Sequence, residues 1–152
     1  MLDRFFLDKE SSLLLIVDMQ EKLAAVMEEK DSVTANTLNL IEGAKLIGIP
    51  VIVTEQYPKG LGPTVPEIRE ALPGYEPIEK ISFDCCGEPS FMDSALLGEG
   101  RKIILAGMES HICVLQTCLG LLKSGLTVHA VSDAMCSRAK RNHRTALNFM
   151  RD

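Results

Sequence analysis

The chain has no apolar run long enough to span a bilayer, and Met1 to Glu10 carries acids where a secretory leader is basic. The expectation is a cytoplasmic protein with no membrane partner. A phosphate cradle is also missing: neither G-x-x-x-x-G-K-[ST] nor G-x-G-x-x-G occurs, and Gly60-Leu61-Gly62-Pro63 opens no clear helix after a strand. No ATP or NAD cofactor is expected. The cysteines lack the spacing of a zinc knuckle or a thioredoxin site, and His111, His129 and His143 do not cluster. A basic excess is lacking too, since 16 Lys and Arg face 21 Asp and Glu for a net charge of -5. The cations are scattered apart from the run Arg138 to Arg144, so nucleic acid is not the expected partner. That run reads as the solvated face of a last helix, its cations placed favourably near the helix C-terminus. Five cysteines, an odd count in a chain of this size, argue for reduced thiols rather than a disulfide framework.

What is present is a chain of 152 residues, 46% hydrophobic, enough for a single domain over 1–152. Leu13-Leu14-Leu15-Ile16-Val17 is a continuous apolar run ending in Asp18, the pattern of a strand buried on both faces of a parallel sheet. Similar runs occur at 50–54, 102–107 and 126–131. Between the first two, Val33, Thr37, Leu40, Ile41, Ala44 and Ile47 keep a helical spacing that Gly48 and Pro50 stop. Between the last two, Ile112, Leu115, Leu119 and Leu122 recur similarly over 110–123. A final helical pattern covers about 140–150. Strand and helix in alternation predict an α/β domain, a mostly parallel sheet covered by helices, with ligands beyond the carboxyl ends of its strands. The stretch 55–100 holds six of the seven prolines and reads as loops with short elements, a candidate site wall.

Three residues carry candidate chemistry. Asp18 stands at the end of the first strand, where a carboxylate either caps the next helix or faces the ligand crevice. Lys80 lies in the alternating segment Ile78 to Phe83, where a solvated edge lysine is the plain alternative. Cys113 falls near the first turn of a helix that Ser110 could cap, and amides and dipole there favour a thiolate; the plain alternative is an inert buried thiol. His111 is two residues from Cys113, so on a helix the two side chains point about 200° apart and form no dyad. Cys118 reads as core, and the vicinal pair Cys85-Cys86 as two loop thiols.

Taken in order, Leu15-Ile16-Val17-Asp18-Met19-Gln20, Glu79-Lys80-Ile81-Ser82-Phe83 and Ala106-Gly107-Met108-Glu109-Ser110-His111-Ile112-Cys113-Val114 resemble the isochorismatase-like cysteine hydrolases. The likeness covers nearly the whole chain. It extends to Thr54 to Gly62 and Ser132 to Arg138, which look most like the isochorismatase-domain-containing hydrolases of uncertain substrate. The resemblance implies a three-layer α/β/α, Rossmann-like fold and a triad of Asp18, Lys80 and Cys113. It also implies an oxyanion hole from the backbone amides of Glu109 and Cys113, with a cis peptide at Met108-Glu109. Gln56, Tyr57 and Phe83 are candidate pocket residues. Asp133 and Arg138 match a family motif as well, with a cap or an ion pair as the plain reading.

Two departures bear on what carries over. Nicotinamidases of this superfamily bind a metal through an Asp and histidines after the second strand. Here that region reads Thr54-Glu55-Gln56-Tyr57, and no His precedes His111, so no metal and no nicotinamide are expected. The chain also stops at Asp152, where relatives continue with a further strand or extended segment and a helix. An edge uncovered in this way would be met by a partner subunit, so at least a homo-dimer is expected. The resulting expectation is a metal-independent hydrolase of a small amide or related carbonyl compound. One rival is a receiver-like signalling domain, which needs an acidic cluster that Leu15-Ile16-Val17-Asp18 does not supply; another is a non-catalytic α/β binding module, which would tolerate loss of the thiol.

Overall fold

The computed structural model describes residues 2–151. Its elements, in chain order, are β1 (Ser12–Val17), α1 (Glu21–Ala24), α2 (Lys30–Ile47), β2 (Val51–Gln56), α3 (Pro58–Leu61), α4 (Pro66–Ala71) and β3 (Ile78–Lys80). They continue with α5 (Pro89–Met92), β4 (Lys102–Met108), a π-helical turn (Ser110–Val114), α6 (Leu115–Lys123), β5 (Thr127–Cys136) and α7 (Lys140–Arg151). All pairings in the sheet are parallel, in the order β3-β2-β1-β4-β5. This is the Rossmann-type order, whereas receiver domains run 2-1-3-4-5. The topology therefore speaks against the receiver-like rival. Among the described residues no helix is long and apolar enough to cross a membrane.

Every residue of β1 is buried, because helices cover both faces of the sheet. Leu13, Leu15 and Val17 join Phe91, Val114, Cys118 and Leu121 on one side, while Leu14 and Ile16 join Val33, Ile41, Ala44 and Ile68 on the other. Each such side chain removed from water is worth about 1.5–3 kcal/mol, which pins the central strand. α2 stops where expected: Gly48 takes φ 78° and its N–H returns to the Ala44 carbonyl. At Gly107, φ is 143° and a Cβ would collide with the Val17 carbonyl, so only glycine lets β4 lie this close to β1.

Four expectations are corrected. α6 buries Thr117, Cys118 and Leu121, while Leu119 and Leu122 stand exposed, because the π turn ahead of it widens the helix and rotates the apolar face. Ile47 is exposed at the end of α2 rather than in its core face. The strand around Lys80 ends at that residue instead of running to Phe83. The basic run Arg138 to Arg144 is indeed largely solvated, yet it lies at the start of α7, not near its C-terminus. Its cations there gain nothing from the helix dipole, and Lys140 instead meets Glu28 and Glu29 at 3.5 and 3.7 Å.

Candidate active site

The order of the strands reverses between β1 and β4, and the crevice at their carboxyl ends is where this architecture collects ligands. Asp18 follows β1 with φ 53°, a left-handed conformation that Asp tolerates better than most residues. Its N–H donates to the Thr54 carbonyl at 3.2 Å. Its Oδ1 accepts the Thr54 hydroxyl at 2.9 Å. Its Oδ2 lies 2.7 Å from Lys80 Nζ, with both side chains sealed from solvent. Beyond that ion contact Oδ2 receives no well-aligned hydrogen bond.

Lys80, the last residue of β3, reaches in from the edge of the sheet. Its ammonium also donates to Gln56 Oε1 at 2.7 Å and to the Ser82 and Phe83 carbonyls at 3.0 and 3.1 Å. Burial pushes this lysine down, but the Asp18 carboxylate and the neighbouring Cys113 and Cys85 more than offset it and hold it above the ordinary value. It is a cation at neutral pH.

Cys113 sits in the π turn, 5% exposed, against the same carboxylate. Burial first, then the negative charge of Asp18, push the thiol up, with Lys80 opposing, against the pull toward a thiolate that helix amides would give. The resting group is a neutral thiol beside a carboxylate–ammonium pair. Nor does Ser110 cap the helix, because its hydroxyl meets His143 Nδ1 at 2.8 Å. His111 turns to Ser137 Oγ at 2.8 Å and so stays out of any dyad with Cys113.

The Met108-Glu109 bond is cis. The Glu109 side chain points away from the crevice into a bidentate contact with Arg138, whose Nε and outer nitrogen both lie 3.1 Å from Oε1. Arg138 therefore stands in the ion pair that was its plain reading, and Asp133, exposed, offers its carbonyl to Asn36 at 2.8 Å. Of the three pocket candidates, Tyr57 lines a cleft of about 340 Å³ beside Lys80, together with Pro58, Lys59, Glu79, Ile81 and Glu88. Gln56 is instead occupied with Lys80 and the Ile81 carbonyl, and Phe83, exposed, contributes its carbonyl to Lys80. Among the described residues no three His, Cys, Asp or Glu side chains converge to hold a metal ion.

Sequence reasoning missed three residues here. Thr54 ends the second apolar run as Asp18 follows the first, and that parallel was the available signal. Gln20, fully buried, clamps β2 to the following loop through Gln56 N, Gln56 O and Gly62 O at 2.7–2.9 Å. Cys85 is not a loop thiol but a fully buried one, its N–H held by Thr117 Oγ1 at 3.0 Å and its Sγ 3.8 Å from Thr54 Oγ1.

Comparison with known proteins accords with this arrangement. A zebrafish (Danio rerio) isochorismatase domain-containing protein 2 is 38% identical over 145 residues, 95% of this chain and 73% of the relative. The structure of MAR1 ribonuclease from Caenorhabditis elegans superposes with a TM-score of 0.87 at 40% identity, covering 95% of this chain and 74% of that one. The YcaC product of Escherichia coli, described as an octameric hydrolase of unknown specificity, does so with a TM-score of 0.87 at 27% identity, covering 95% and 73%. The family model for the isochorismatase domain matches residues 12–152. With that match joined to the all-parallel, three-layer fold, the chain belongs to the isochorismatase domain family, a family of hydrolases.

Proposed function

We propose that the protein is a cysteine hydrolase of small amides or related carbonyl compounds, working through a thioester on Cys113. The observation that carries the reading is the buried Cys113 set against Asp18, whose Oδ2 is sealed with Lys80 and otherwise without a donor.

In the first half-reaction Cys113 Sγ bonds to the substrate carbonyl carbon as its proton passes to Asp18. The oxygen that becomes negative is met by the backbone N–H groups of Glu109 and Cys113. The C–N bond then breaks, Asp18 returns the proton to the leaving nitrogen, and a thioester remains. In the second, water gives a proton to Asp18 as its oxygen bonds to the acyl carbon; the S–C bond breaks, the acid leaves, and Sγ recovers the proton. Lys80 holds Asp18 in place throughout and gives the pair electrostatic support. The mechanism uses only side chains, two amides and water, with no metal or organic cofactor. Self-association is part of the proposal, supported by the octameric description of the E. coli neighbour.

The test is a panel of small amides and esters followed by mass spectrometry, with turnover and an acyl adduct on Cys113 expected. RNA belongs in the panel because the C. elegans neighbour is described as a ribonuclease. The amide is favoured because the one cation at the thiol, Lys80, is already engaged by Asp18 and three neutral oxygens. Turnover undiminished in Cys113→Ala contradicts the proposal.

A further inference from the structure

We propose that Thr54 is a positioning residue that selects which oxygen of Asp18 exchanges the proton with Cys113, and that the Cys85 thiol supports it by donating to its hydroxyl oxygen. The inference rests on the hydrolase reading above. A carboxylate has two oxygens that rotation about the Cβ–Cγ bond can interchange. Here the two are made unlike. Oδ1 accepts the Thr54 hydroxyl at 2.9 Å, while Oδ2 has the Lys80 ammonium at 2.7 Å and no aligned donor. An ionised carboxylate only accepts, so the Thr54 hydroxyl must donate to it.

That leaves the hydroxyl oxygen to accept, and what faces it is the Cys85 sulfur at 3.8 Å. Cys85 is completely buried and its thiol is pushed up to about 12, by burial first and then by the Asp18 charge, so it keeps a proton to donate. The chain therefore runs one way, from Cys85 S–H to Thr54 O–H to Asp18 Oδ1. The backbone reinforces it: Thr54 pairs with Val17 in the sheet and its carbonyl takes the Asp18 N–H, which holds the left-handed turn in place. A threonine at this one position thus fixes both the backbone and the rotamer of the base.

The consequence is selective. Proton return matters for a poor leaving group such as an amine and little for one that departs as an anion. Two probes separate these cases, para-nitroacetanilide as the amide and para-nitrophenyl acetate as the ester. Thr54→Val keeps the shape and removes the hydroxyl. Amide turnover is expected to fall about tenfold or more, since hydrogen bonds to a charged group are worth about 1.5–3 kcal/mol. Ester acylation is expected to fall by no more than about threefold, and Thr54→Ser to restore both. Thr54→Ala, which removes the hydroxyl without adding bulk, carries the same expected split where the valine variant does not fold. No loss on either probe, or a loss that Thr54→Ser does not restore, overturns the positioning role while leaving the hydrolase reading intact. A wild-type protein that accepts no acyl group on Cys113 from either probe overturns the hydrolase reading, and this inference with it.

Discussion

Two lysines close the two ends of the sheet, and both meet aspartates. At the amino end, Lys102 Nζ lies 3.0 Å from Asp8 and 3.4 Å from Asp3, whose side chains are 45% and 90% exposed. At the carboxyl end, Lys80 and Asp18 are 1% and 0% exposed. The distances are alike and the surroundings are not. Water and salt reach the two carboxylates of the first cluster, although its lysine is 8% exposed, so loss of one carboxylate costs less. The second is sealed, so each charge depends on the other, and removing one strands its partner in a medium that penalises it. A buried pair is weak evidence for stability alone; here it also leaves a carboxylate oxygen free beside a thiol.

The largest expected effect comes from breaking the sealed pair. Asp18→Leu leaves the Lys80 cation buried and unpaired, and a loss of about 3–5 kcal/mol is expected in urea denaturation. Hydrolysis is expected to disappear with it. Next is Gly107→Ala, which puts a methyl group into the Val17 carbonyl where β1 and β4 deliver Asp18 and Cys113. A loss of about 1–3 kcal/mol is expected, with activity falling further than stability, as kinetics on the folded fraction would read.

At the amino end, the Ser11 hydroxyl and N–H, then Lys102, hold the Asp8 carboxyl well below the usual carboxylate range. A depressed carboxylate contributes above its unfolded value, about 3.9, and loses that contribution as pH falls through the folded one. Asp8→Asn should therefore lower the neutral-pH denaturation midpoint slightly, by far less than Asp18→Leu. Its difference from wild type should be present at pH 5 and shrink below pH 3, and should also weaken in molar salt. A shift as large as that of Asp18→Leu would erase the contrast between the two ends.

The parts legible in the sequence were those with a one-dimensional signature. Buried strands show as unbroken apolar runs, and β1 and β4 were bounded to within a residue or two by Val17-Asp18 and Gly107. Asp18, Lys80 and Cys113 were weak signals singly and recognisable as an ordered trio. What escaped depends on the third dimension. The π turn breaks the 3.6-residue period, so extrapolating from Ile112 chose the wrong face of α6. Cys85 looked like a loop residue because its burial comes from Thr54 and Thr117, 31 and 32 positions away. The state of Cys113 stayed open in the sequence, because helix amides favour a thiolate while burial and the Asp18 charge, both set by the fold, oppose it.

The Asp18 carboxylate offers the most direct test. In the proposed mechanism it takes the Cys113 proton as the sulfur bonds to the substrate and later returns it to the leaving group. Asp18→Asn keeps the shape and removes the base. Hydrolysis at pH 7.5, measured on the folded fraction, is expected to fall by about 10²–10⁴-fold. Hydrolysis that survives the substitution undiminished would contradict Asp18 as the proton acceptor of Cys113.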